Sequence, residues 1–360
     1  MGDVCAPKKN IIRAKSNFKP SDEIQYIDIS SIDNMQFKIV DYTPYIFSDA
    51  PSRAQQVVQA GDIVISLVRP NLKNIALVNE DRNDLVASSG FCVLRSETIN
   101  KGYLFHFIKS DTFTNYLLTR VSGANYPAVR EEDIKDYRLP VPSMEEQEAI
   151  VAELDEINEA IAAMQQQVAD LDTLAQSTFY DMFGDPEKNP FGYDTLRLDE
   201  LCLLKAGKAI KANQLSETSD GRYPCFGGNG IRGYIEVFSH DGIYPIIGRQ
   251  GALCGNINLA RGQFYATEHA VVVSPLKDLV SLWLFYALKQ MHLEQYAHGV
   301  AQPGLSVKDL NPLPLYYPPL ALQQEFAAKV EAMESAKAEI NAQISDLQTL
   351  LASRMDYYFD

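Results

Sequence analysis

GANYPAVREEDI, residues 123–134, returns as GVAQPGLSVKDL, residues 299–310, at an offset of 176. Gly123 pairs with Gly299, Pro127 with Pro303, Asp133 with Asp309 and Ile134 with Leu310. Downstream the offset holds without a gap: Pro142 with Pro318, Gln147 with Gln323, and LDTLAQS from Leu171 with LQTLLAS from Leu347. Upstream it needs small gaps. Gly61-Asp62-Ile63 leading to Arg69 is similar to Asp241-Gly242-Ile243 leading to Arg249, and Ala87 to Ser96 is similar to Ala266 to Pro275. A repeat this long dictates architecture: a globular unit, a helix, a related unit, a related helix.

The helices carry the clearest local signal. Ile150, Leu154, Ile157, Ile161, Met164, Val168 and Leu171 are spaced 4,3,4,3,4,3, and Phe326, Val330, Met333, Lys337, Ile340, Ile344 and Leu347 keep that spacing. This is a heptad seam, narrower than the apolar stripe of an ordinary surface helix. Ser143 and Glu146 form a capping box at the first helix start, and Gly184 and Pro186 end it. Some 40 residues at about 1.5 Å each give a rod of about 60 Å. Lys337 interrupts the second seam, where a polar residue sets register at some cost in stability. The simplest partner for one rod is the other, run antiparallel. That predicts globular units at opposite ends, a geometry suited to a split duplex site. On periodicity alone, a coiled coil that only dimerises or scaffolds is the plainer reading.

The 360 residues are 46% hydrophobic, enough for more than one core. No apolar run approaches the roughly 20 residues of a membrane span, and Met1 to Asn10 lacks the apolar region of a signal peptide. Cys5, Cys92, Cys202, Cys225 and Cys254 are scattered with no C-x-x-C pair, which predicts reduced thiols in a cytoplasm and no zinc site. The net charge of -15 argues at first against nucleic acid. Its distribution changes that. Residues 1–138 carry 17 basic and 17 acidic side chains and residues 187–312 carry 12 of each, whereas residues 139–186 carry 11 acids and no base. The excess acid sits on the rods, and each balanced unit is free to present a basic face.

The predicted fold is α+β: two mixed units and two rods, at 1–142, 143–184, 185–318 and 319–360. Strands are expected at Gln25 to Ser30, Asp62 to Val68 and Phe91 to Leu94, and again at Tyr234 to Phe238, Ile243 to Ile247 and Ala270 to Val273. Apolar helical stretches, Leu104 to Leu118 and Val280 to Tyr296, precede the repeated motif. Gly- and Asn-rich runs at 227–233 and 248–258 mark exposed loops, where binding residues concentrate.

The repeated pattern Gly-x-x-x-Pro-x-(Val/Leu)-x-x-x-Asp-(Ile/Leu), then a proline and a Gln-containing helix start, resembles the end of each target recognition domain in type I restriction-modification specificity subunits. Tyr26 to Asp33 (YIDISSID) resembles the opening strand of one such domain. Ala206 to Ile210, then Tyr223 to Tyr234 (YPCFGGNGIRGY), resembles the opening of another, and Ile247 to Gly251 fits its next strand and turn. The resemblance covers nearly the whole chain. Two departures stand out: Glu146-Gln147 becomes Leu322-Gln323 in the second copy, and few residues precede Tyr26. The resemblance implies two recognition domains that each contact one half of an asymmetric, split DNA sequence. It also implies docking of two methyltransferase (modification) subunits that bind S-adenosylmethionine and methylate adenine. Motor-nuclease (restriction) subunits, where encoded, would add ATP- and Mg-dependent cleavage. This chain would supply specificity, with no cofactor of its own.

Candidate DNA contacts follow from side-chain chemistry. Arg69 and Arg249, at matching positions after matching strands, suit guanine or phosphate, or brace their own loops. Lys73 lies on the same first loop. Lys205, Lys208 and Lys211 lie on a glycine-containing loop with few acids nearby, suited to phosphate or simply to water. Asn229, Arg232 and Gln250 offer amide and guanidinium groups to base edges, although Asn229 also suits a tight turn. Asn125, Tyr126 and Arg130, with Gln302 in the other copy, flank the repeated proline. The run Gly228-Asn229-Gly230-Ile231-Arg232-Gly233 fits a dinucleotide fingerprint, but an alternating strand pattern follows where that motif needs a helix. No coherent catalytic set is present, so the chain reads as a non-enzyme. The competing readings are a scaffold without DNA specificity and an acidic DNA mimic, the latter needing acid over the whole surface.

Overall fold

The computed structural model of the chain describes residues 1–6, 10–123, 127–299 and 303–360. It resolves into two compact units, Met1–Met164 with Gln343–Asp360, and Gln165–Ala342.

The first unit holds strands β1 (Glu23–Ile27), β2 (Thr43–Ile46), β3 (Ala54–Val57), β4 (Ile63–Ser66), β5 (Ile75–Leu77), β6 (Leu85–Ser88) and β7 (Phe91–Leu94). A four-stranded sheet runs β2-β1-β6-β3 and a three-stranded one β5-β4-β7. Strands β4 and β7 are buried on both faces, which accounts for their unbroken apolar sequences. The predicted helix at 104–118 is two, α1 (Lys101–Lys109) and α2 (Asp111–Leu118). Ser110 divides them: its backbone is extended and its Oγ accepts from Phe113 N at 3.2 Å, so it caps α2.

The second unit repeats this plan with β8 (Cys202–Ala206), β9 (Tyr223–Gly227), β10 (Gly230–Ile235), β11 (His240–Gly248), β12 (Ile257–Ala266) and β13 (Ala270–Pro275). Here one sheet of order β8-β13-β11-β12-β9-β10 replaces two. The register explains why. Ile65 pairs with Ile75 and Cys92, just as Ile247 pairs with Ile257 and Val271. Strand β12 therefore corresponds to β5 and β6 run together. Between Leu77 and Ala87 the first unit carries three residues more than between Leu259 and Ala266, and that insertion breaks the strand.

The long helices are α3 (Met144–Phe183) and α5 (Leu320–Phe359), with α4 (Ser281–Gln290) between them in sequence. Ser143 and Glu146 form the predicted capping box: Ser143 N donates to Glu146 Oε2 at 2.8 Å, and Glu146 N to Ser143 Oγ at 3.3 Å. Gly184, at φ +71°, ends α3. The helices pair antiparallel in each unit. In the first, Arg354 donates to Glu153 at 2.8 Å, and Phe359 packs edge-on against Tyr103 and Phe107. In the second, Phe326 packs edge-on against Phe179, Phe183 and Tyr286. These rings are fully buried or nearly so, and removing any one would cost about 3–5 kcal/mol. Lys337 does not merely interrupt the seam. Its ammonium lies 2.6 Å from Asp172 on the facing helix and 3.1 Å from Glu334.

Candidate nucleic-acid interface

Three backbone hydrogen bonds recur in both units and fix a common frame at the loop after β4 and β11. Leu67 N donates to Gly90 O at 2.9 Å, and Arg249 N to His269 O at 3.0 Å. Val129 N donates to Leu67 O, and Leu305 N to Arg249 O, both at 2.9 Å. Arg69 N donates to Pro127 O at 2.7 Å, and Gly251 N to Pro303 O at 3.0 Å. The repeated proline motif is thus stitched to the strand-end loop in each copy. This frame corrects the sequence alignment. Arg249 corresponds to Leu67, and Arg69 to Gly251, so the two arginines occupy different places.

Other predicted residues divide by what holds them. Arg69 is exposed, in the left-handed region at φ +51°, with no side-chain partner among the described residues. Lys73 is not free. Its ammonium donates to Lys109 O at 2.8 Å and lies 2.6 Å from Asp111, which ties its loop to the α1–α2 junction. Arg130 is exposed and only loosely paired, 3.7 Å from Asp133. Asn125, Tyr126 and Gln302 lie outside the described residues. Lys205 sits within β8, not on the loop, at an outward position of an alternating strand. Lys208 and Lys211 do lie on the following loop and are exposed.

The structure brings Asn229, Arg232 and Gln250 together. They line an open groove of about 660 Å³ whose floor is the Gly227–Gly230 turn and whose wall is Gln250–Leu253, with His269 at its edge. Glycines make the floor possible. A Cβ on Gly248 would lie 1.9 Å from Gly228 O, and the stem of Arg232 lies across Gly227, 3.1 Å from where a Cβ would sit. Arg249, half-buried, flanks the groove through its backbone bond to His269. Gly228 to Gly233 forms a hairpin turn entering β10, so the fingerprint-like sequence has no helix behind it.

Sequence reasoning missed His269 and the cleft in the first unit. That cleft, also about 660 Å³, is lined by Arg13, Ser16, Gln55, Gln56 and Ser89. It lies beside the β6–β7 turn, the counterpart of the turn carrying His269. No short motif marks these residues; the turn's correspondence appears only once strands are paired. Also missed was the role of the repeated glutamines. Gln147 accepts from Asn100 N at 2.9 Å and donates to Pro142 O at 2.9 Å; Gln323 accepts from Val280 N at 2.9 Å and donates to Pro318 O at 2.8 Å. Each locks a long helix to the start of α1 or α4.

A family model for the type I restriction modification DNA specificity domain matches residues 1–172 and 190–348. The chain belongs to that family. The specificity subunit of the type I restriction enzyme EcoprrI of Escherichia coli is 48% identical over 140 residues, 38% of this chain and 35% of that one. The chain spans little more than a third of the length of the first curated relatives it matches. A solved chain from work on complex assembly and conformational transition of the type I R-M system is 28% identical. It covers 99% of this chain and 96% of its own at a TM-score of 0.63. The type I restriction-modification S subunit from M. genitalium, 16% identical, shares the fold over 98% of this chain and 93% of its own at a TM-score of 0.59. Among the described residues of this specificity-family chain, no helix is long and apolar enough to cross a membrane, and no cluster of His, Cys, Asp and Glu could hold a metal.

Proposed function

We propose that the chain is a DNA-specificity subunit acting in the cytoplasm, with each unit reading one part of a split, asymmetric duplex site. It docks two modification subunits and, where encoded, motor-nuclease subunits. S-adenosylmethionine, ATP and magnesium belong to those partners, and this chain holds no cofactor. The observation that carries the reading is the shared frame with unlike side chains. At equivalent points the first unit presents Leu67, Val68, Arg69 and Gly90, and the second Arg249, Gln250, Gly251 and His269. One backbone holds two different sets of groups, as two readers of different sequences require. The same family membership and the acid-rich, base-free stretch at 139–186, unsuited to DNA, support a division between reading units and docking rods.

The test is co-expression with the neighbouring methyltransferase, followed by mapping of methyladenine across the host genome. A single split, asymmetric motif is expected, with one half degraded by Arg69→Ala and the other by Arg232→Ala. An active complex that methylates without a split motif refutes the two-reader proposal. Failure to form any complex favours a scaffold.

A further inference from the structure

The groove of the second unit has the chemistry of a base-reading site. Its backbone is fixed: Gln250 pairs with Gly304 and Gly251 N bonds Pro303 O, while the floor turn is packed against Gly248 and His269. Its side chains are not. Among the described residues, the exposed Gln250 amide and the Arg232 guanidinium have no hydrogen-bond or ion-pair partner. Asn229 Oδ1 accepts from Asn256 Nδ2 at 3.1 Å, which turns the Asn229 amide so that its NH₂ is the group left over. Ile231 and Leu253, at 52% and 53% exposure, are apolar groups on the same groove. Beside it, Asn258 Nδ2 and Glu268 Oε2 are buried with no hydrogen-bond partner among the described residues, while Glu268 Oε1 lies 3.3 Å from His269 Nε2.

A free carboxamide on a fixed backbone offers one donor and one acceptor side by side, which matches adenine N7 and N6 in the major groove. An adjacent aliphatic side chain matches the methyl of the paired thymine. Arg232, with its stem laid over Gly227, suits phosphate or guanine beside that pair. We infer that Gln250 reads an adenine, with Leu253 against the thymine methyl, in the half-site bound by the second unit. The inference rests on the DNA-specificity reading above and adds to it a residue and a base.

The experiment maps methylation motifs for complexes containing the wild-type chain, Gln250→Ala and Gln250→Glu, with melting temperatures taken alongside. Gln250 is exposed, so both variants should melt like wild type. The wild-type motif should contain an A·T pair at one position where Gln250→Ala lowers discrimination by about tenfold to hundredfold, the other half-site being untouched. Gln250→Glu, which only accepts, should shift that position towards cytosine, whose N4 donates. A Gln250→Ala motif identical to wild type, or methylation weakened equally at all sites, overturns the inference while leaving the split motif and the specificity reading intact. A wild-type complex with no split motif refutes that reading itself, and this inference with it.

Discussion

Replacing Gln323 by alanine should destabilise the second unit by about 2–4 kcal/mol. Gln323 is fully buried, and its amide satisfies Val280 N–H at the start of α4 and the buried Pro318 carbonyl before α5. Each bond contributes about 1 kcal/mol net, which gives the lower figure; the buried Pro318 carbonyl left unpaired costs up to about 3 kcal/mol and the N–H of half-buried Val280 about 1 kcal/mol, which gives the upper. For a unit of this size, 1 kcal/mol moves the melting midpoint by about 2–4 °C, so the fall should be about 4–16 °C. The protein supplies its own probe. Trp283 is the single tryptophan, fully buried on α4 and 6.1 Å ring to ring from Phe183. Urea unfolding followed by its fluorescence reports this unit directly. Gln323→Met separates bonding from packing, because it fills nearly the same space but makes neither bond. A loss below about 0.5 kcal/mol in Gln323→Ala, or wild-type stability in Gln323→Met, would sink the argument that the amide bonds hold the helix to the unit.

Three further outcomes follow from the same structure. Burial pulls the His106 imidazole down to about 4, Lys109 adding to the effect and Asp155 opposing it. Since the unfolded value is about 6.5, the unfolded chain takes the proton first, and stability falls as pH drops from about 6.5 to about 4, by roughly 3 kcal/mol. His106→Gln should flatten that part of the pH profile of urea midpoints, and an unchanged profile contradicts it. Lys337→Ala and Asp172→Ala should couple in a double-mutant cycle by about 0.5–1 kcal/mol, since Asp172 is 60% exposed and the pair is partly screened; purely additive losses would show the pair idle. Gly248→Ala drives a Cβ into Gly228 O, so it should cost about 1–3 kcal/mol and erase discrimination in one half-site of the methylation motif only. Retained discrimination in both halves would show that the groove floor is not needed.

What the sequence disclosed was mostly local. The heptads, the Ser143–Glu146 box and the glycine stop at 184 depend on neighbours within a few residues, and α3 and α5 follow them closely. The doubled proline motif was legible for the same reason. What failed was register. Gly61-Asp62-Ile63 and Asp241-Gly242-Ile243 look alike, yet the strands pair with Ser66 at Gly248, two residues away from that alignment. Turn-forming glycines and aspartates recur by chemistry alone, whereas register is decided by cross-strand hydrogen bonds that a linear reading does not see. The pairing of Lys73 was out of reach likewise, because Asp111 is 38 residues distant in sequence. Gln147 and Gln323 left a signal, the same residue at one offset beside unlike neighbours. Their role needed the partners Asn100 and Val280 to be in place.

The three-residue insertion before Ala87 shows how the backbone frame is kept while the topology around it changes. It splits one long strand into β5 and β6 and divides a six-stranded sheet into two, a large change in topology. Yet the three backbone hydrogen bonds of the frame, two to the proline motif and one to the neighbouring turn, join equivalent positions at nearly the same lengths in both units. All of those bonds are made by backbone atoms, so they do not themselves fix the side chains, although Leu67 packs against the core and Arg69 and Gly251, at φ +51° and +93°, hold left-handed positions. Side chains at exposed positions such as Gln250 can therefore vary at little cost to the frame, unlike core-packed Leu67, left-handed Arg69 and Gly251, or Gly248, where the backbone leaves no room for a Cβ. A fold built this way keeps its stability in buried clamps such as Gln323 and its chemistry on exposed, uncommitted groups such as Gln250. Substitutions in the first class should change melting and not motif, and substitutions in the second should change motif and not melting.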